Sequence, residues 1–321
     1  MVYQVDSRIA RAIATGGLAG RGIPNKDAAW PTKGQVLSTI PKSCFQKNTA
    51  KSLTYALGSL AATLGCGWAG TAIPLQWAFA PVWLLYALVS STVAMGCWVV
   101  AHECGHGAFS DRKWLQTTVG YLFHSSLLVP YFSWQRSHAV HHMYTNHVTD
   151  GETHVPPVVG SAGANAALAT QSKLTGWRYG VVSAAGHLLF GWPLYLLQGS
   201  SGGPKYGTTS HFWPWHRSRT TLADGSRELF PTPTMKRSVF ASDIGVVAVL
   251  GGLAAWAASA GWVSVALLYG FPLVFVNAWL VLYTWLQHTG NDEIRSCSQG
   301  RVARAENFQE LGCCSIEMLM Q

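Results

Sequence analysis

The sequence predicts an all-α integral membrane protein of two transmembrane helical hairpins, about four spans, with interfacial helices and a histidine-rich metal site facing the cytosol. Three observations predict it. Only 11% of the 321 residues are charged, whereas 49% are apolar. Four uncharged apolar stretches approach or exceed the length that crosses a bilayer, about 20 residues. Eight of the twelve histidines fall between residues 102 and 154. Four such stretches in one chain favour membrane spans over buried core helices.

The segment before the first apolar stretch, residues 1–52, is basic. It carries eight lysines and arginines against two acids, and no apolar core of a secretory signal precedes the first span. The positive-inside rule therefore places it in the cytosol. Its acid-poor beginning is also similar to an organellar transit peptide, which leaves a plastid membrane as the alternative location.

Two pairs of apolar stretches predict the hairpins. The first pair is separated by Pro74 and the second by Gly261. Their bounds are Leu53–Ile73 with Trp77–Ala101, and Ile244–Ala258 with Trp262–Leu286.

The apolar segment Tyr179–Gln198 is predicted to lie in the membrane surface. If it crossed, residues 199–238 would be lumenal, yet they carry six basic residues against two acids. Trp and Tyr are also typical of interfacial helices. The segment Trp114–Phe132 is predicted to be interfacial too. Both histidine clusters and His288 then face the cytosol together.

The histidine clusters predict a metal site. His102 and His106 are spaced i, i+4, and His138, His141 and His142 are spaced i, i+3, i+4, so each set shares one face of a helix. Neutral imidazole suits Zn, Cu, Fe and Ni. Five imidazoles exceed the needs of one zinc ion and are about half of what two metal ions take.

Two other metal sites fit part of this pattern. Residues 102–106 match H-E-x-x-H, the zinc-protease motif with Glu103 as general base, but that site leaves the second cluster unexplained. Glu103 and His106 also match one E-x-x-H element of a carboxylate di-iron bundle, which needs a second such element and two more glutamates. The apolar stretches contain no acids. An all-histidine, dinuclear iron site is the remaining interpretation.

Cysteine and charge exclude other classes. The seven cysteines are scattered without a CxxC pair, which indicates a reducing compartment. The net charge of +8 fits cytosolic loops facing anionic membrane lipids. No basic-aromatic motif for nucleic acid is present.

With these motifs the chain resembles the membrane fatty acid desaturases, specifically the endoplasmic-reticulum acyl-lipid ω-6 (delta-12) type of plants, algae and fungi. The resemblance identifies residues 53–289 as a desaturase domain that is C-terminally incomplete. Residues 160–176 match little and are interpreted as a loop insertion. The segments that carry the resemblance are 31–45, 102–111, 128–134, 138–142, 151–156, 190–195, 210–212, 242–243, 277–280 and 286–289.

The resemblance implies two iron ions held by histidines and an endoplasmic-reticulum location. It implies conversion of phospholipid-linked oleoyl chains to linoleoyl chains with O2 and electrons from cytochrome b5 and its reductase. An ω-3 desaturase, hydroxylase or conjugase is the alternative reaction. Glu103 and Asp111 are expected to support the ligands or form ion pairs. His147 and His154 are expected near the metals or in ordinary loops, and His124, His187, His211 and His216 in structural or interfacial positions. The implied ligands are His102, His106, His138, His141, His142 and His288.

The resemblance ends after Thr289. Family members continue with a third box, H-V-x-H-H, whereas residues 290–321 contain no histidine and are interpreted as an aberrant or divergent tail. The expected ligand set is then incomplete. A second hypothesis follows, a non-catalytic desaturase-like membrane protein. Homodimers or heterodimers with other desaturases are a further expectation.

Overall fold

The computed structural model describes residues 33–145, 150–155, 162–174, 176–203, 205–215 and 228–288. These residues form helices and connecting turns, with no strand among them. The interpretation of residues 290–321 as an aberrant tail lies outside the described residues, as do His147 and His216. One compact unit comprises residues 47–155 and 176–290, and a second comprises residues 1–46, 156–175 and 291–321.

Nine helices are described, and two of them, α1 and α6, belong to the second unit. The segment around α6, expected to be a loop insertion, is helical because it is rich in alanine, the strongest helix former. The bounds are α1 Lys33–Thr39, α2 Thr49–Gly70, α3 Ala80–Gly105, α4 Lys113–Ser126, α5 Tyr131–Met143, α6 Ala162–Lys173, α7 Trp177–Gln198, α8 Pro233–Ala260 and α9 Trp262–His288.

Helices α2 and α3 form the first hairpin. The side chain of Asn48 accepts a hydrogen bond from the Lys51 backbone N–H and so caps the start of α2. Small residues allow the two helices to pack closely: a Cβ on Gly96 of α3 would lie 2.8 Å from the Ser59 hydroxyl of α2. Ala56 near the start of α2 shares a buried cluster with Cys104 at the end of α3, so the helices run antiparallel.

Helices α8 and α9 are joined by Gly261, whose φ of 85° lies in the region that favours glycine. Thr232 caps α8, and Pro233 occupies a first-turn position where its missing N–H costs nothing. Beyond this junction the two helices diverge, because α8 packs against α4 and α5 while α9 packs against α3 and α7. A π-helical turn, Ala266–Gly270, interrupts α9.

The starts of α2 and α8 and the ends of α3 and α9 lie at one end of the bundle. The Thr49 hydroxyl is 2.8 Å from that of Ser110, just beyond α3, and the Arg136 guanidinium donates to the Leu229 carbonyl just before α8. The links within the two pairs meet at the other end, where the Tyr86 hydroxyl donates to the Leu268 carbonyl. Exposed tryptophans mark that far end: Trp68, Trp77 and Trp262.

Four helices are long and apolar enough to cross a membrane, which agrees with the predicted number, but one member differs. Three of them contain the predicted spans that begin at Trp77, Ile244 and Trp262. The predicted span Leu53–Ile73 forms α2, yet its glycines, serines and threonines keep its hydropathy below that of the other three. The fourth candidate is instead α7, which was predicted to lie in the membrane surface.

The predicted interfacial segment Trp114–Phe132 is a helix followed by a corner. Helix α4 ends at Ser126, and Leu128 adopts a φ of 57°, which is uncommon for a residue with a side chain. Helix α5 then starts at Tyr131 and brings the second histidine motif, residues 138–142, against the end of α3.

The largest buried hydrophobic cluster adjoins the two histidine motifs, residues 102–106 and 138–142. It joins α3, α5, α7 and α9 through large side chains, among them Trp98, Trp134, Trp192 and Leu280. Trp98 and Trp134 each precede the first histidine of a cluster by one helical turn. The first histidine of each motif therefore packs against a tryptophan of this buried core.

Candidate metal centre

Four histidines from α3 and α5 converge on one point, and we call them the quartet: His102, His106, His138 and His142. The Nε2 atom of His138 lies 2.8 Å from that of His102, 3.1 Å from that of His106 and 2.9 Å from that of His142. One nitrogen from each of the four rings lies within 4.8 Å of the other three.

This convergence fits a metal ion better than hydrogen bonding among the rings. A neutral imidazole carries a single N–H, so the Nε2 atom of His138 cannot satisfy three nitrogen neighbours at once. Nitrogens bound to one ion at about 2.1 Å lie about 3.0–3.4 Å from their nearest neighbours, close to the spacing observed. The quartet could therefore hold a metal ion with little rearrangement.

Burial keeps three rings of the quartet, those of His106, His138 and His142, in their metal-binding form. It lowers the pKa of His106 and of His142 to about 4, and neighbouring histidines contribute to the same shift. The pKa of His138 is also held well below its usual range by burial. These rings are neutral at physiological pH, and neutral imidazole is the species that binds metal.

Glu103 supports the quartet. Its Oε1 atom lies 3.0 Å from the Nδ1 atom of His102, so Nδ1 carries the proton and Nε2 presents its lone pair to the centre. This contact favours an orienting role over the general-base role in a zinc protease. Asp111, for which an ion pair was one of the two expected roles, is highly exposed and pairs with Lys47 at 3.4 Å.

Two tryptophan rings pack against imidazoles of the quartet, and one glycine makes room for one of these tryptophans. The ring of Trp134 stacks on that of His138 with centroids 4.6 Å apart, and the ring of Trp98 stacks on that of His102 at 5.5 Å. A Cβ on Gly105 would lie 2.6 Å from the Trp134 ring. Only glycine at position 105 allows Trp134 to lie this close to α3.

His141 and His288 form part of a second cluster. The centroid of the His288 ring lies 4.9 Å from that of His141 and 4.6 Å from that of His154. His141 and His154 are 5.8 Å apart. The six predicted ligands are thus divided between two clusters, four in the quartet and two beside His154, whose role the sequence left open.

A buried polar network adjoins the quartet, and no motif in the sequence predicted it. The Tyr195 hydroxyl lies 2.8 Å from Glu152 Oε2 and 3.0 Å from the Ser137 hydroxyl, which lies 2.9 Å from His211 Nε2. Burial raises the pKa of Glu152 to about 8 and lowers that of His211 to about 4. Both groups are therefore neutral near pH 7. The four residues are far apart in the chain, so no local spacing could have revealed them.

The remaining described histidines lie apart from both clusters. His124 is completely buried between Trp98, Tyr131 and Trp134, where burial lowers its pKa to about 3. His187 stacks on Trp285 with ring centroids 4.9 Å apart. Their surroundings agree with the structural or interfacial positions expected for them.

Comparison with known proteins gives a consistent picture. A model of the fatty acid desaturase family matches residues 52–315, and so extends into the segment after Thr289. The chain is 36% identical over 261 residues to a Delta(12)-fatty-acid desaturase of Arabidopsis thaliana, a match that covers 80% of this chain and 63% of that protein. An endoplasmic-reticulum omega-6 fatty acid desaturase of Brassica juncea is 36% identical over 266 residues, covering 80% and 64%. A Delta(12) fatty acid desaturase of Mortierella alpina is 33% identical over 299 residues, covering 88% and 70%. The chain thus spans slightly less than two thirds of the two plant relatives.

Proposed function

The chain belongs to the fatty acid desaturase family, which confirms the resemblance seen in its motifs, and on this basis we propose that it is an acyl-lipid delta-12 desaturase. Its substrate would be an oleoyl chain on a phospholipid, and its product a linoleoyl chain. The observation that carries the proposal is the quartet, because two separate histidine motifs meet at one end of apolar helices in a chain with delta-12 relatives.

The reaction needs a strong oxidant, because the methylene C–H bonds to be broken have no activating neighbour. Two hydrogens leave the acyl chain, and O2 is reduced to two waters with two electrons and two protons from outside. Bound iron would supply the O2 chemistry. The imidazoles suit this task, since neutral ligands avoid burying carboxylate charge beside an apolar substrate. The protein itself positions these ligands by packing them against aromatic rings, and burial keeps the imidazoles neutral.

We further propose that the protein resides in the endoplasmic reticulum membrane with both histidine clusters facing the cytosol. The basic segment before α2 supports this orientation, since α2 starts at the same end of the bundle as the clusters. Cytochrome b5 with its reductase is the proposed electron source, because an acidic carrier would be attracted to the basic cytosolic segments.

Lipid analysis in yeast tests the activity. The host makes oleate but no linoleate, and it expresses either this chain or a version continued after His288 with a family-type segment bearing H-V-x-H-H. Because the described residues supply fewer histidines than two irons take, we expect linoleate from the continued version and none from the chain as written. The matched control is the continued version with His138→Ala, which lacks the central ligand of the quartet.

Product identity separates the alternatives. A double bond between carbons 12 and 13 supports the proposal, whereas a hydroxylated or conjugated product, or desaturation of added linoleate at the ω-3 position, assigns a related reaction. If the continued version is present in the membranes but makes no new fatty acid, the delta-12 proposal fails.

A further inference from the structure

The second histidine cluster contains one ring that neither the sequence motifs nor the family boxes require, that of His154. It lies in the segment between α5 and α6, twelve residues after the second box. In the structure its ring is near-parallel to that of His288, with an interplanar angle of 14°. The inference below rests on the proposed use of iron.

The spacing of the three rings suits a shared ion. A metal about 2.1 Å from a ring nitrogen is about 3.2 Å from the ring centroid, so neighbouring ligands have centroids about 4.5–5.3 Å apart. Within the quartet, the His102–His106 and His106–His138 centroids are 4.4 and 4.8 Å apart. In the second cluster His288 lies at ligand spacing from both His154, at 4.6 Å, and His141, at 4.9 Å. The His141–His154 distance of 5.8 Å exceeds this range. Rotation of the rings about their broad χ2 torsions would bring the nitrogens closer together.

The backbone holds His154 in a conformation that costs energy. Its φ is 55°, in the left-handed region, and Leu128 is the one other non-glycine residue with a positive φ among those described. Such conformations are unfavourable for a residue with a side chain and persist where the surroundings impose them, often at functional sites. Here the Val155 N–H donates to the Ser201 carbonyl at 3.1 Å, and the Gly203 N–H donates to that of Gly151 at 3.0 Å.

The position of His141 also suits a ligand. Only 6% of the residue is exposed, and its ring contacts those of both His154 and His288. A buried ring nitrogen needs a partner, and a bound metal ion would supply one.

We propose that His154, together with His141 and His288, binds the second of two iron ions, while the quartet binds the first. His154 would thus add a nitrogen ligand that the histidine boxes do not supply. The competing explanation is that His154 only stacks on His288 and fills space.

Two substitutions separate ligation from packing. His154→Phe keeps a flat ring against His288 but has no ligand nitrogen. His154→Gly leaves a cavity for free imidazole and suits the positive φ, so its backbone is not strained. The matched control is His187→Ala, which removes a histidine whose ring stacks on Trp285 and belongs to neither cluster.

The protein is expressed with iron-57, purified in detergent, and measured for iron per chain and by Mössbauer spectroscopy. We expect His154→Phe to lose roughly half of the bound iron and one of two spectral components, since a site with fewer ligands binds more weakly. Imidazole in the buffer should restore that component in His154→Gly. His187→Ala should match the wild type.

Full iron and both components in His154→Phe would overturn the proposal, as would a single component in the wild type that His138→Ala abolishes and His154→Phe leaves intact. Either result would leave the proposed desaturase function standing. Failure of the yeast experiment with normal iron binding would instead count against that function alone.

Discussion

At the scale of single residues, the quartet depends on a contact between two side chains that do not bind metal. Gly105 has no Cβ, so the Trp134 ring can lie against α3, and that ring in turn stacks on His138. The position of one imidazole is therefore set by the absence of a methyl group one helix away.

Gly105→Ala should disturb the quartet without removing a ligand. The new Cβ would lie 2.6 Å from Trp134, and overpacking of this kind costs about 1–3 kcal/mol. We expect weaker iron binding and a lower melting temperature in detergent. Gly58→Ala is the control, because nothing lies within 4 Å of its Cβ. Equal iron binding in the two variants would contradict the role of Trp134.

The residue scale also shows how far the sequence could predict the site. The i, i+4 spacing of each motif predicted the pairs of the quartet, and the structure brings them together. The same spacing placed His141 with His138 and His142. An α-helix turns about 100° per residue. Viewed down the axis of α5, the side chains of His141 and His142 therefore lie on opposite sides of the side chain of His138. The structure accordingly places His141 near His154 and His288, which only tertiary packing could determine.

At the scale of helices, the buried network fixes α5 to α7. The Tyr195 hydroxyl donates to Glu152 Oε2 and lies 3.0 Å from the Ser137 hydroxyl. Ser137 lies 2.9 Å from His211 Nε2, and His211 Nδ1 lies 3.3 Å from the Leu196 carbonyl oxygen. Ser137 is the residue before His138, so this chain of hydrogen bonds sets the position of the quartet along α5.

Tyr195→Phe should lower the melting temperature and the iron content more than Glu152→Gln does. The first leaves a buried carboxylic acid without its partner, at a cost of about 1–3 kcal/mol. The second keeps a neutral donor in the same place. Melting temperature and iron content of the purified variants test this, with Tyr55→Phe as a control on an exposed tyrosine. If Glu152→Gln is as unstable as Tyr195→Phe, Glu152 is ionised rather than neutral.

The network also predicts a pH dependence. The pKa of buried His211 is about 4, below the ordinary 6.5, so the unfolded chain binds the proton more readily. The contribution of His211 to the free energy of unfolding should be intact above about pH 6.5 and be lost, by up to about 3 kcal/mol, as the pH drops to 4. The other buried histidines with a lowered pKa add to the total fall. His211→Gln should flatten that part of the profile. An unchanged slope between pH 4 and 6.5 would show that His211 is not held neutral.

At the scale of the whole molecule, the disposition of α7 decides the topology. The length and composition of α7 allow it to cross a membrane. However, two of its residues, His187 and Tyr195, make contacts near the histidine clusters although they are eight residues apart. His187 stacks on Trp285, one turn before His288, and Tyr195 reaches Ser137 beside His138. Between these two points Gly191 packs against Val281, so this stretch of α7 runs alongside α9 while both contacts stay near the clusters.

A cysteine placed at Arg219 should therefore react with a membrane-impermeant reagent from the cytosolic side. The basic residues in 199–238 and the position of His211 against α5 both support this expectation. A cysteine at Trp262, at the far end of the bundle, serves as the control and should react only from the lumen. Lumenal labelling at position 219 would make α7 a span.

The far separation of His288 from the quartet has a consequence for biosynthesis. All four quartet histidines have been made once His142 leaves the ribosome, whereas His288 follows 146 residues later. At about 5–20 residues per second, the nascent chain spends roughly 7–30 seconds with one histidine cluster complete and the other unfinished. The two clusters are therefore assembled in a fixed order, and the second is finished only when the last described helix has been synthesised.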